Sequence, residues 1–299
     1  MKLTFLGTSA VFPTKERNHS AVALSYSGEI HLFDCGEATQ RQITFSELSP
    51  MKISKIFITH WHGDHTFGLP GLIESLQMNR RSAELNVYGP KGTKENFKTM
   101  LKAFEMYPEY KINVHEVDPK SPTKICDEEN YEVFALRVKH TVPCISFYFK
   151  EKDKIRINTD YTEKFGLKED PILRELQAGK DIVWQGKKIR AEDATTITLG
   201  KKITYIVDTY YDESLVDFAK DSDVLVCEAT FMHNLSEQAK EKGHMTSRLA
   251  GKLAKKAHAK QLIITHFSQR YKSVSELLAE TRKVFENTSA AHDLMNVKF

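Results

Sequence analysis

Residues 60–65 read His60-Trp61-His62-Gly63-Asp64-His65, which puts four side chains able to ligate a metal into six positions directly after the apolar run Ile56-Phe57-Ile58-Thr59. Donors this close in sequence converge only if the backbone turns sharply as it leaves a strand, and Gly63 is expected to allow that turn. The pattern recurs downstream. His140 follows the strand-like run Val133 to Val138, Asp208 follows Ile203 to Val207, and His266 follows Leu262 to Thr265. A lone His or Asp at a strand end is usually a cap, but a repeated one argues that several strand ends meet on one edge, where loops carry sites. Imidazole and carboxylate together suit zinc, and manganese or cobalt also accept such ligands. Two ions are expected: one held by His60, His62 and His140, the other by Asp64, His65 and His266, with Asp208 bridging. Two cations sharing a carboxylate at roughly 3.5–4 Å can stabilise both the attacking and the leaving oxygen of a phosphoryl displacement. Asp64 is placed to orient the attacking water and accept its proton.

Eleven short β-branched or aromatic runs end in turn residues: Leu3–Leu6, Val22–Ser25, Ile30–Phe33, Ile53–Thr59, Leu85–Tyr88, Ile112–Val117, Val133–Val138, Ser146–Phe149, Ile203–Val207, Val224–Val226 and Leu262–Thr265. Helices are expected at Gly68–Asn79, Thr93–Phe104, Asp212–Ala219, Thr246–Ala257 and Val274–Val284. So many strands with interleaved helices fit two sheets packed face to face with helices outside. At 299 residues, one large domain is the first expectation. A charged stretch of weak apolar periodicity, about 150–192, reads as a projecting insertion.

Apolar residues at 40% and charged residues at 28% exclude a disordered chain. A net charge of +3 is compatible with an RNA partner but does not select one. Cys35, Cys126, Cys144 and Cys227 form no close pair and read as buried thiols of a reducing compartment. The first apolar run is short for a signal peptide and no stretch is long enough to span a bilayer, so a cytoplasmic location without membrane contact is expected.

The string His60 to His65 with His140, Asp208 and His266 resembles the metallo-β-lactamase superfamily, which implies an α/β fold, the four-layer αβ/βα sandwich. Within it, four further features resemble the ribonuclease Z family. Pro13-Thr14-Lys15-Glu16-Arg17-Asn18 fits its Pro-x-Lys-x-Arg-Asn loop, and Lys15, Arg17 and Asn18 are the residues expected to meet RNA. Asp34-Cys35-Gly36-Glu37-Ala38-Thr39-Gln40 matches a segment near the site, with Asp34 expected to brace it and not to ligate. Cys227-Glu228-Ala229-Thr230 and His244-Met245-Thr246 stand where the family has His-Glu-Ala-Thr and His-Ser-Thr, each with one residue changed. The fourth feature is the 150–192 insertion, in the position of the family's flexible arm, or exosite.

The resemblance implies a zinc-dependent endoribonuclease that removes the 3′ trailer of precursor tRNA and leaves a 3′-hydroxyl on the tRNA and a 5′-phosphate on the trailer. It also implies a homodimer whose arm reaches the tRNA body from the other subunit, and no DNA substrate. Glu228 and His244 would form a relay beside the metals. Two roles fit them: protonating the 3′-oxygen as it leaves, or a hydrogen bond that only orients. Fold leaves the substrate open, so a lactonase, thioesterase or cyclic phosphodiesterase of the same fold is the rival. A tRNA-binding protein without turnover is a further rival, disfavoured because every expected ligand position is filled.

Overall fold

The short apolar runs become strands of two seven-stranded sheets. The first has the order Asn296–Lys298, Lys2–Gly7, Ala21–Tyr26, Glu29–Phe33, Ile53–Phe57, Leu85–Gly89, Ile112–Glu116. It is antiparallel through Glu29–Phe33 and parallel from there outward. The second has the order Thr288–Ala290, Leu262–Thr265, Val224–Glu228, Lys202–Ile206, Cys144–Glu151, Tyr131–Val138, Thr123–Asp127, its first four strands parallel. Parallel neighbours end on the same edge, so the loops after Phe33 and Phe57, and those after Ile206, Glu228 and Thr265, each gather at one rim.

The inner faces meet through aromatic side chains. Phe147 of the second sheet lies 5.3 Å from Phe57 and 6.1 Å from Phe33, ring centre to ring centre, and Tyr205 lies 5.4 Å from Phe33. All four rings are buried, and truncating a phenylalanine in such a place costs about 3–5 kcal/mol. On the outer face of the first sheet, helix Leu69–Met78 buries Leu69, Leu72, Ile73 and Leu76, a 3.6-residue stripe, against Leu32, Ile56 and Val87. On the outer face of the second, helix Ser247–Lys256 packs Ala250, Leu253 and Ala254 against Leu225, Leu262 and Ile264. Thr246 caps that helix, its hydroxyl accepting the Leu249 N–H. Helix, sheet, sheet and helix form the expected four-layer αβ/βα sandwich. Strands Thr123–Asp127, Thr288–Ala290 and Asn296–Lys298 and helix Thr39–Phe45 add to the elements expected.

The computed structural model describes residues 1–299, and the chain divides into two compact units. The sandwich comprises Met1–Asp127, Val133–Phe149 and Lys202–Phe299; the second unit comprises Glu128–Glu132 and Lys150–Lys201. The segment expected at about 150–192 falls in the second unit, which continues to Lys201. There, strands Lys154–Ile157 and Thr195–Thr198 pair antiparallel, and Ile182–Trp184 pairs with Lys187–Ile189. The second pair turns through Gln185 (φ 48°) and Gly186 (φ 78°), the two successive left-handed residues of a tight hairpin. A small core of Leu167, Leu176, Ile182, Ile189, Ala191 and Ala194 fills the unit.

All four cysteines are buried and free of disulfides. Burial pushes the thiols of Cys35, Cys144 and Cys227 above their ordinary range. No helix is long and apolar enough to cross a membrane.

Candidate metal centre

After strand Ile53–Phe57 the chain runs through Thr59, His60 and His62 into a short helix, Gly63–Thr66. Gly63 is the first residue of that helix, where the chain passes from the extended backbone of His62 (φ −73°, ψ 153°) into helical backbone; a Cβ there would come 2.2 Å from the Phe67 ring. The glycines that matter are Gly36 and Gly68. A Cβ on Gly36 would lie 2.4 Å from the Asp64 carbonyl oxygen, and one on Gly68 would lie 2.0 Å from that of Gly36. The metal-motif loop is thus docked backbone to backbone on the Asp34–Gly36 loop, where the Cys35 N–H donates to His65 and the Gly68 N–H to Cys35.

Three site residues sit at strand ends in the left-handed conformation: Asp34 (φ 58°), Asp208 (φ 52°) and His266 (φ 58°). Each such residue costs on the order of 1–3 kcal/mol and persists only where its surroundings over-determine it. Here the carboxylates and the imidazole are turned inward over the rim of the sandwich.

The structure gathers the seven expected donors into two sets that share Asp208: His60, His62, His140 and Asp208, and Asp64, His65, Asp208 and His266. In the first set, His62 Nδ1 lies 2.9 Å from His60 Nε2 and 3.3 Å from His140 Nε2, while Asp208 Oδ2 lies 3.6 and 3.7 Å from those two Nε2 atoms. In the second, His65 Nε2 lies 3.2 Å from His266 Nε2 and 3.4 Å from both Asp64 Oδ2 and Asp208 Oδ1. His266 Nε2 lies 2.9 Å from Asp208 Oδ1 and 3.6 Å from Asp64 Oδ2. Zinc bound tetrahedrally at about 2.0–2.1 Å sets its ligand atoms about 3.3 Å apart, so both sets have the spacing of a zinc cage. Asp208 Oδ1 is buried and, despite its nearness to His266, makes no aligned hydrogen bond. A buried acceptor among converging nitrogen lone pairs suits a cation at their common focus. The donors therefore fit two zinc ions.

The far side of four imidazoles is fixed. Asp34 Oδ2 accepts from His65 Nδ1 (2.8 Å) and from Tyr205 Oη (3.1 Å), while Asp34 Oδ1 accepts the N–H and hydroxyl of Thr59. The Thr59 hydroxyl accepts in turn from His60 Nδ1 at 3.0 Å. The Gly243 carbonyl accepts from His140 Nδ1 at 3.1 Å. The Thr230 hydroxyl meets His266 Nδ1 at 3.0 Å and donates to Glu228 Oε2 at 2.6 Å. Outer partners of this kind orient metal-binding imidazoles. Glu228 also accepts the Thr209 N–H at 2.7 Å and His244 Nδ1 at 3.1 Å, and the His244 ring lies 5.4 Å from that of His140 and 5.6 Å from that of His266, beside both sets.

Charge divides the two sets. Burial drives the imidazoles of His60 and His140 below their ordinary range. Burial acts the same way on His65, but Asp208, Asp34 and Asp64 overcome it and raise that imidazole well above the ordinary range. His266 is pushed up to about 10, again against burial, chiefly by Asp208. The carboxyls of Asp64 and Asp208 are held well below the usual range despite burial, Asp64 by His65 first and Asp208 by His266 first. His244 is raised against burial by Glu228.

The residues expected to meet RNA are placed differently from one another. Lys15 is exposed. Arg17 is buried, and its Nη2 donates to the Tyr271 carbonyl at 2.8 Å. Asn18 Nδ2 donates to the Glu37 carbonyl, and the Asn18 N–H donates to Asp293 Oδ2, both at 2.7 Å. Arg17 and Asn18 thus brace the loop that presents Lys15. Sequence reasoning missed the main-chain N–H of Val11, which donates to Asp64 Oδ2 at 2.8 Å, and the Thr59, Tyr205 and Gly243 contacts. Thr59 could have been found from its place between the strand and the first histidine.

The family model described as Anti-Pycsar protein Apyc1 matches residues 1–181. The chain is 42% identical over 278 residues to the ribonuclease Z of Methanococcus maripaludis (strain C7), covering 92% of this chain and 90% of that one. Among solved structures, human tRNase Z, short form, superposes with a TM-score of 0.74 at 29% identity, covering 100% of this chain and 99% of that one. The metallo-β-lactamase fold protein YhfI from Bacillus subtilis superposes with a TM-score of 0.72 at 20% identity over 99% and 98% of the two chains, a likeness of fold.

Proposed function

The chain belongs to the ribonuclease Z family and, over residues 1–181, to that of the Anti-Pycsar protein Apyc1 model, and from that membership we propose that it is a zinc-dependent endoribonuclease removing the 3′ trailer of precursor tRNA. The observation that carries the reading is the pair of donor sets sharing Asp208, with the Glu228–His244 pair beside them. Zinc ions at these sets supply Lewis acidity, which stabilises the charge developing on phosphodiester oxygens and makes water acidic enough to attack at neutral pH.

The chain's own residues do the rest. His60, His62, His140 and Asp208 hold one ion, and Asp64, His65, His266 and Asp208 the other. Asp34, Thr59, Gly243 and Thr230 keep the imidazole lone pairs aimed inward. Asp64, fixed by the Val11 N–H, orients the attacking water and takes its proton. His244, its basicity raised by Glu228, gives a proton to the 3′-oxygen as it leaves the trailer phosphate. Lys15 meets a phosphate of the RNA. The second unit acts as the arm that holds the tRNA body across a homodimer, and the protein works in the cytoplasm.

The test is incubation of the zinc-loaded protein with a 3′-extended precursor tRNA beside an Asp64→Ala control, with the product ends mapped. A cut after the discriminator base that disappears in the control is the expected result. No cut, with full zinc content and turnover of a small phosphodiester, lactone or thioester, would discard the RNA substrate and leave the hydrolytic centre.

A further inference from the structure

We propose that Phe12 is a stacking platform for an unpaired nucleobase next to the scissile phosphate, an inference that rests on the RNA reading above. It starts from an unusual backbone. Val11 is β-branched, yet it stands in the left-handed region at φ 51°, which such residues rarely adopt. The main chain around it is tied at each step. The Val11 N–H donates to Asp64 Oδ2 at 2.8 Å, and the Val11 carbonyl meets His19 Nε2 at 3.0 Å. The Ala10 N–H donates to the Phe267 carbonyl at 3.0 Å, and the Ser9 hydroxyl donates to the Phe12 carbonyl at 2.6 Å.

All of these anchors act on backbone atoms, and none holds the side chains. Val11 and Phe12 are each 56% exposed. No aromatic ring or cation packs on the Phe12 ring, in contrast to exposed Phe45, which lies under the Arg41 guanidinium. A large apolar ring thus stands in water on a fixed backbone, one residue from the N–H that fixes a donor of the metal centre. Consecutive Cα atoms are about 3.8 Å apart, so Phe12 is within reach of the nucleotide that flanks a phosphate bound there. Unpaired RNA bases are read by stacking on aromatic side chains, and a platform whose backbone is already ordered loses little freedom on binding. Exposed Lys15, three residues further, supplies a cation to the same strand. Base stacking at Phe12 would position the chain across the metal centre without contacting the reacting atoms.

The experiment is a cycle on the zinc-loaded full-length protein. Wild type, Phe12→Leu and Phe12→Tyr are each assayed on precursor tRNA that is unmodified or abasic on one side of the scissile phosphate, then on the other. Phe12→Leu is expected to lower kcat/KM about tenfold, the loss of one base–aromatic stack, with zinc content unchanged and Phe12→Tyr near wild type. At one of the two abasic positions, wild type should lose a similar factor and Phe12→Leu nothing more. A 2-aminopurine at that position, followed in the first milliseconds after mixing, should be quenched by wild type and Phe12→Tyr and not by Phe12→Leu. Additive losses at both positions, or unchanged kinetics and no quenching difference, would overturn the stacking role while leaving the nuclease reading intact. A wild type that makes no cut would instead sink the functional reading itself.

Discussion

The two halves of the metal centre share one carboxylate but reach it in opposite states of charge. His60 and His140 are desolvated and pushed toward neutrality, so that half offers free nitrogen lone pairs at neutral pH. His65 and His266 lie among Asp34, Asp64 and Asp208 and are driven the other way, so without metal that half holds its own protons. The difference teaches that equal donor spacing does not mean equal binding. One half is ready for a cation, and the other has to exchange protons for it.

The largest blow to this contrast is Asp208→Ala, because Asp208 is the one donor in both sets. Both ions should be lost and cleavage should fall to background, with emission spectrometry showing no bound zinc. One full equivalent retained would mean the halves assemble independently.

A smaller change separates them. Asp34→Asn alters the acceptor behind His65 and leaves His140 with its own partner, the Gly243 carbonyl. Zinc should bind the second set about 10–100-fold more weakly, the usual effect of losing an outer partner, with the first set, which Asp34 reaches only through Thr59 and His60, weakened less in a chelator competition.

The subtlest test is protonic. Zinc binds only deprotonated imidazole, so filling the second set should release more protons than filling the first, because the imidazoles of His65 and His266 are raised while those of His60 and His140 are lowered. The sign follows: affinity at the second set rises as pH climbs toward those raised values, and its ion is the first lost as pH falls. Calorimetry in two buffers of different ionisation enthalpy reads this directly. Equal proton release by both ions would erase the proposed asymmetry.

Much of this was legible in the chain because the chemistry is local. Four donors fall between His60 and His65, and each remaining donor follows an apolar run that could only be a strand. Hidden from the sequence were features set by distant partners. The Tyr271 carbonyl that accepts from the Arg17 guanidinium, and Glu37 and Asp293, which accept from Asn18, lie too far along the chain for that loop to announce them. The three-residue strands Thr288–Ala290 and Asn296–Lys298 carry too little alternation to announce themselves and form by pairing with a neighbour already present. The left-handed turns at Asp34, Asp208 and His266 leave no trace in composition, since none is a glycine.

The buried thiols have a consequence for how this molecule ages. Cys35 sits between Asp34 and Gly36, behind the second donor set, and Cys227 lies in the strand that delivers Glu228. Sealed in and held protonated, neither offers a thiolate to an oxidant or alkylating agent while the rim is closed. Damage at these sulfurs therefore requires prior opening of the structure, and an alkylated cysteine records a moment when its surroundings came apart.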